Sequence, residues 1–218
     1  MIRVVIADDH KIVREGLRHL LSTASDLLVV GEAVNGHDVM ARVRDIDFDI
    51  LLLDLSMPGK SGMELIRQVR SEKPRVRVLV LSMHEEHQYA VRAIRAGASG
   101  YLNKDSATEE LVSALRKLAG GGAFISAEVA EALAHEAHNR SDGPPHTSLS
   151  DREYQVFRML VAGQSLTDIA NRLSLSIKTI STHKASLMRK MAVANQAELI
   201  RYAINHRLTD DTPGEPGR

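Results

Sequence analysis

The chain contains no cysteine and no tryptophan, and aromatic residues make up 3% of it. Without thiols there are no disulfides and no thiolate metal sites, and a reducing cytoplasm fits. So few aromatic rings leave little to line a cavity for an apolar small molecule. No apolar stretch approaches the ~20 residues of a membrane span, and the N-terminus opens on a strand-like run instead of a signal peptide, so a soluble cytosolic protein with no membrane partner is expected. Net charge is also missing, at +0, but the balance conceals an uneven distribution. Residues 1–120 carry 17 Lys+Arg against 17 Asp+Glu, residues 121–145 carry 1 against 4, and residues 146–208 carry 9 against 4. The excess positive charge therefore belongs to one C-terminal unit, the electrostatic footprint of a nucleic-acid partner.

A length of 218 residues suits one large domain or two small ones. Through residue 120 the pattern alternates strand and helix. Strands are expected at 3–7, 27–32, 49–53, 76–81 and 99–102, and helices near 11–22, 36–46, 62–72, 86–96 and 107–119. Five such units predict an α/β fold, a doubly wound five-stranded parallel sheet of flavodoxin type. Gly97 and the run Gly120-Gly121-Gly122 read as helix stops.

Residues 126–138 form an alanine-rich helix with an N-cap serine, and Asn139 to His146 has nothing apolar to bury. The expected division is therefore 1–121 for the α/β domain, 122–147 for a linker with a short helix, 148–208 for an all-α domain, and 209–218 for a disordered tail. In the all-α part, Ser150-Asp151-Arg152-Glu153 is a capping box, and the helix it opens carries Val156, Phe157, Leu160 and Val161 on one face before Gly163. A short helix near 166–173, a break at Ser174-Leu175-Ser176, and a longer helix to about Met191 make a helix-turn-helix. Asn195 caps a fourth helix with Leu199, Ile200, Ala203 and Ile204 on its apolar side.

Chemistry concentrates at strand ends. Asp8 and Asp9 follow Val4-Val5-Ile6-Ala7, Asp54 follows Ile50-Leu51-Leu52-Leu53, and Lys104 follows Gly100-Tyr101-Leu102-Asn103. In an open parallel sheet the functional crevice lies beyond the carboxyl ends of the strands, so these charges converge. Clustered carboxylates repel unless a hard cation and a lysine offset them, which predicts a Mg²⁺ site around a reactive Asp54. Asp54 precedes Met57-Pro58-Gly59, whose Pro-Gly forces a loop able to bring a backbone carbonyl to the ion. His10 and His84 flank the mouth and are read as solvent-facing, because Mg²⁺ prefers oxygen.

Asp8-Asp9-His10, Asp54 with Met57-Pro58-Gly59, Ser82 after Val78-Leu79-Val80-Leu81, and Gly100 to Lys104 resemble the receiver domain of two-component response regulators. Leu149 to Glu153, Ile169-Ala170 and Ser176 to His183 resemble the LuxR-type helix-turn-helix, and together they are similar to the NarL/FixJ subfamily. The resemblance implies a phosphorylation-dependent DNA-binding transcriptional regulator whose partners are a sensor histidine kinase and double-stranded promoter DNA. It implies that Asp54 accepts the phosphoryl group, and that Asp9, Asp54 and the Ser56 carbonyl ligate Mg²⁺ with Asp8 acting through bound water. Lys104 and Ser82 would bind phosphoryl oxygens, and Tyr101 would be a switch residue that moves with Ser82. Lys178, Thr179, Ser181, Thr182, Lys184, Ala185 and Arg189 are the expected DNA contacts, with Ile180, Leu187, Met191 and His183 facing inward. Many relatives have lysines where this chain has Ser181 and Ala185, and an aliphatic residue in place of Lys184. Ala197, Ile200, Ala203 and Ile204 are the expected seam of a homodimer on DNA.

Three other readings fit the residues less well. A haloacid-dehalogenase-type phosphatase also uses a strand-end aspartate and Mg²⁺, but wants a second carboxylate two residues later, and Ser56 stands there. A ligand-sensing LuxR regulator needs aromatic residues that the chain lacks. A DNA-binding regulator working without phosphorylation is opposed by the intact Asp54, Lys104 and Ser82 set. The protein is therefore expected not to be an enzyme beyond catalysing its own phosphorylation and dephosphorylation.

Overall fold

The computed structural model describes residues 1–57, 62–82, 87–104, 107–138, 144–206 and 208–209. Pro58, Gly59, His84, the middle of the expected linker and nearly all of the expected tail lie outside them. The chain divides into two compact units, Met1–His135 and Glu136–Arg218.

In the first unit, strands β1 (Ile2–Ala7), β2 (Leu27–Ala33), β3 (Ile50–Asp54), β4 (Arg77–Ser82) and β5 (Gly100–Asn103) alternate with helices α1 (Lys11–Ser22), α2 (Gly36–Asp45), α3 (Gly62–Glu72), α4 (His87–Ala96) and α5 (Ala107–Ala119). All pairings are parallel, in the order β2-β1-β3-β4-β5. This is the expected doubly wound order, whose switch point falls between β1 and β3. Every residue of β3 is buried, because period-two alternation aims Leu51 and Leu53 at one helical layer and Ile50 and Leu52 at the other. Val39, Ile66 and Ala93 complete the first layer, and Leu21, Leu111 and Leu115 the second.

The unit extends further than the sequence suggests. Phe124 bridges to Gly100 in parallel register, accepting the Tyr101 N–H at 2.9 Å and donating to Ser99 at 3.1 Å. Helix α6 (Ala127–His138) then packs Val129 against Ala90 and Val91 of α4. Residues 122–135, expected as linker, are thus part of the first unit. The physical reason is edge pairing: Phe124 continues β5's hydrogen bonding and covers apolar surface that a free linker would leave wet.

The second unit holds a 3₁₀ turn (Pro145–Ser148) and helices α7 (Asp151–Val161), α8 (Leu166–Leu173), α9 (Ile177–Lys190) and α10 (Gln196–Asn205). The capping box at Ser150 and Glu153 forms, and Ser165, Ser176 and Asn195 each accept a backbone N–H at the start of the next helix. Ser174, with φ 53°, turns the chain between α8 and α9. Tyr154, Phe157, Ile169, Ile180, Leu187 and Leu199 are buried at the centre of this helical unit.

Gly100 is where the β5 edge is tightest. A Cβ there would lie 2.9 Å from both the Phe124 carbonyl oxygen and a Leu79 methyl. Gly100→Ala should therefore destabilise the first unit by about 1–3 kcal/mol through overpacking, measured as a lowered urea midpoint with little change in slope.

Candidate functional site

The sheet order brings the four strand-end charges together. Asp8 and Asp54 are buried, and the Lys104 ammonium bridges them, 2.7 Å from Asp8 Oδ2 and 2.9 Å from Asp54 Oδ2. The second Asp54 oxygen accepts the Ser56 N–H at 3.0 Å, which fixes the carboxylate at the start of the β3 loop. Asp8 Oδ1 accepts the His10 N–H at 2.8 Å, and Arg14 donates to the Asp8 carbonyl at 2.9 Å. Burial alone would push the Lys104 ammonium down. Its bond to Asp8 and the charge of Asp54 outweigh this and raise its pKa above the ordinary lysine value.

Asp9 is partly exposed at the rim. Ligating atoms of Asp8, Asp9, His10 and Asp54 all lie within 4.8 Å of one another. One lysine cannot neutralise three carboxylates, so the donor set fits a hard divalent cation. The His10 side chain is 65% exposed, as expected, yet Nδ1 stands 3.1 Å from Asp9 and 3.3 Å from Asp8. The oxygen preference of Mg²⁺ predicts a solvent-facing ring, and from the α1 N-cap position an exposed ring still reaches both aspartates.

Ser82 is completely buried at the end of β4, next to β3. Tyr101 is half-buried and packs against the cluster of Ala90, Val91 and Val129, with Ile125 beside it. The expected switch residue therefore borders a cluster to which α6 contributes Val129, a neighbour the sequence did not reveal.

In the second unit, Lys178, Ser181, Thr182, Ala185 and Arg189 are exposed on α9. Ile180, Leu187 and Met191 are buried and His183 is half-buried, as the inward face requires. Two expected contacts are otherwise engaged: Thr179 Oγ1 lies 2.8 Å from the Ser176 hydroxyl in the helix cap, and half-buried Lys184 donates to Gln196 at 3.3 Å. The sequence also missed an anchor. Glu153 of α7 accepts from Ser186 at 2.6 Å and from Lys190 at 2.6 Å, tying α7 to α9.

Helix α10 corrects the expected seam. Ala203 is 0% exposed, packed inside its own unit with Leu199, and cannot meet a second copy. Ala197 is exposed, Ile200 half-buried and Ile204 59% exposed. An apolar helix face wider than one contact surface explains the error, since one flank faces the core and the other faces out.

Residues 4–116 match the family of response regulator receiver domains, and residues 147–203 match the bacterial regulatory proteins of the luxR family. The chain belongs to the response regulators of the NarL/FixJ subfamily. It is 35% identical to response regulator UvrY of Escherichia coli strain K12 over 209 residues, 95% of this chain and 96% of that one. It is 34% identical to response regulator GacA of Pseudomonas aeruginosa over 211 residues, 96% and 99% of the two chains. RcsB from Salmonella enterica serovar Typhimurium, solved bound to promoter rprA with the phosphomimetic BeF3⁻, is similar at 29% identity and a TM-score of 0.64, covering 92% of this chain and 97% of that one. This regulator thus joins a receiver domain to a LuxR-type DNA-binding domain and is not a classical enzyme. Among the described residues no helix is long and apolar enough to cross a membrane.

The Glu153 anchor sets a pH dependence. Burial would raise its pKa, but the bonds from Lys190, Ser186 and Ser150 outweigh burial and hold it at about 2, below the ordinary 4.5. A depressed carboxylate contributes stability that is present above the unfolded value and lost as pH falls through the folded one. The stability gap between wild type and Glu153→Gln should therefore be largest near neutrality and shrink between roughly pH 5 and pH 2, read from urea unfolding. A gap independent of pH would mean that Glu153 acts only by packing.

Proposed function

We propose that Asp54 is the phosphoryl acceptor of this regulator and that its phosphorylation controls promoter binding. The observation that carries this is the Lys104 ammonium held between Asp54 and Asp8, with Asp9 adding a third carboxylate at the rim. Asp8, Asp9, Asp54 and the Ser56 carbonyl would hold Mg²⁺, which when bound offsets charge on the transferring phosphoryl group. An Asp54 oxygen attacks phosphorus of a phosphohistidine on a sensor histidine kinase. The new bond is O–P and the bond that breaks is N–P. Lys104 Nζ then exchanges part of its carboxylate bonding for a phosphoryl oxygen, and the Ser82 hydroxyl turns toward another. Tyr101 follows Ser82, and because it packs against the cluster of Ala90, Val91 and Val129, its movement alters the seat of α6.

For DNA, the supporting feature is the spacing along α9. Lys178 and Arg189 are eleven residues apart, close to three full turns and about 16 Å along the axis. That exceeds the major groove's width of about 12 Å. Two cations on one face can therefore reach phosphates on both walls, with Ser181, Thr182 and Ala185 between them at the base edges. A homodimer on promoter DNA in the cytoplasm would use the exposed flank of α10, Ala197, Ile200 and Ile204, and phosphorylation shifts the population able to form it.

Intact-mass analysis after incubation with a small phosphodonor should show one added phosphoryl group with Mg²⁺, none after chelation and none for Asp54→Asn. Full labelling of Asp54→Asn would overturn the assignment. Phosphorylation should increase both sedimenting mass and promoter affinity, and Ile200→Glu should abolish both gains. Arg189→Ala should weaken DNA binding by about tenfold and reduce the slope of log affinity against log salt by about 1. An unchanged slope would remove Arg189 from the phosphate contacts.

A further inference from the structure

The acidic pocket includes a nitrogen donor that an all-oxygen Mg²⁺ site does not use. His10 Nδ1 lies 3.1 Å from Asp9 Oδ1 and 3.3 Å from Asp8 Oδ1, and all four residues of the cluster offer atoms within 4.8 Å of one another. Donors in cis positions around one octahedral ion, each about 2.1 Å from it, stand about 3.0 Å apart. The two His10 spacings, to Asp9 and to Asp8, are close to that edge. The two oxygens nearest Lys104 are the Oδ2 atoms of Asp8 and Asp54, so the Asp8 oxygen facing His10 is the other one. The ring is anchored through its backbone, since the His10 N–H is held by Asp8 Oδ1 at 2.8 Å.

We propose that His10 Nδ1 is a further ligand of the divalent ion held by Asp8, Asp9 and Asp54, tilting the site from Mg²⁺ toward a transition ion such as Mn²⁺. This rests on the metal-site reading of the pocket given above. An imidazole ligand adds little for Mg²⁺, which prefers oxygen and dehydrates reluctantly, and adds more for first-row transition ions, whose affinity for nitrogen rises along their series. Mn²⁺ is the suitable probe because it accepts carboxylate, carbonyl and imidazole in octahedral geometry. It also binds weakly to isolated surface histidines.

The experiment uses the full-length protein loaded with Mn²⁺ and read by pulsed electron paramagnetic resonance, alongside competition titrations with Mg²⁺. Wild type should show the nuclear modulation of a directly bound ¹⁴N, and His10→Ala should lose it. His10→Ala should also weaken Mn²⁺ by about tenfold while changing Mg²⁺ by less than about twofold. Mn²⁺ bound in an Asp9-dependent way but without nitrogen coupling would overturn the proposal and leave the metal-site reading standing, with His10 a simple ion-pair partner of the two aspartates. Equal losses for both ions, or nitrogen coupling that persists in His10→Ala, would overturn it as well. If Asp9→Ala binds Mn²⁺ as tightly as wild type, or if wild type binds none, the metal-site reading fails and the proposal fails with it.

Discussion

The Lys104 ammonium between Asp8 and Asp54 is the interaction on which the receiver depends. It joins the ends of β1, β3 and β5, and β4 lies between the last two. Adjacent strands are about 4.8 Å apart, so β3 and β5 are separated by nearly 10 Å. A long, flexible side chain is needed to cross that gap, which is a physical reason for lysine at this strand end. Breaking a buried pair of this kind leaves an uncompensated charge, at a cost of about 3–5 kcal/mol. Bridging two carboxylates with one cation leaves the pocket electron-rich even before Asp9 is counted. The same contact that closes the top of the sheet leaves a net negative pocket whose donors fit a divalent cation.

Ser82 and Tyr101 stand where that contact can be read out. Ser82 is fully buried on β4 beside Asp54's strand, and Tyr101 occupies β5 one residue after the Gly100 bridge to Phe124. Tyr101 is half-buried against the cluster of Ala90, Val91 and Val129 and also lines an open cavity with Phe124, Ile125 and Val129. Under the proposed switch, movement of Tyr101 would reach α6 through this cluster.

Much of this was legible in the chain because the signals are local. Apolar β-branched runs ending in Asp8, Asp54 and Lys104 announce buried parallel strands, and the capping box at Ser150 announces α7. The sheet order followed once five strand–helix units were counted. What was not legible depends on packing between distant segments. Phe124 carries no strand signature, and only the open β5 edge makes it a partner. Ala203 and Ile204 share one apolar stripe, and which of them faces the core depends on α10's setting against α7. Glu153 reads as a capping residue from sequence, and its second role emerges only when Ser186 and Lys190 arrive from another helix. His10 was set aside by the oxygen preference of Mg²⁺, a rule about the ion that says nothing about where the ring lies.

The anchor at Glu153 also sorts the recognition helix by what it leaves over. Lys190 and Ser186 are held by α7, Lys184 leans on Gln196, and Thr179 caps its own helix. The remaining exposed set has cations at both ends, Lys178 and Arg189, and short side chains between them. Ser181, Thr182 and Ala185 reach only a few ångströms from the backbone, so base contacts by them require α9 to lie deep in the groove. A lysine at such a position contacts a phosphate or base edge from further out, through a flexible stem whose ordering costs entropy. Short residues give up that reach for close approach, where a methyl against a thymine methyl or a fixed hydroxyl discriminates by shape. In the proposed DNA-binding mode, the terminal cations would supply most of the salt-dependent affinity, and sequence preference would fall to three small side chains on a helix that Glu153 holds in place.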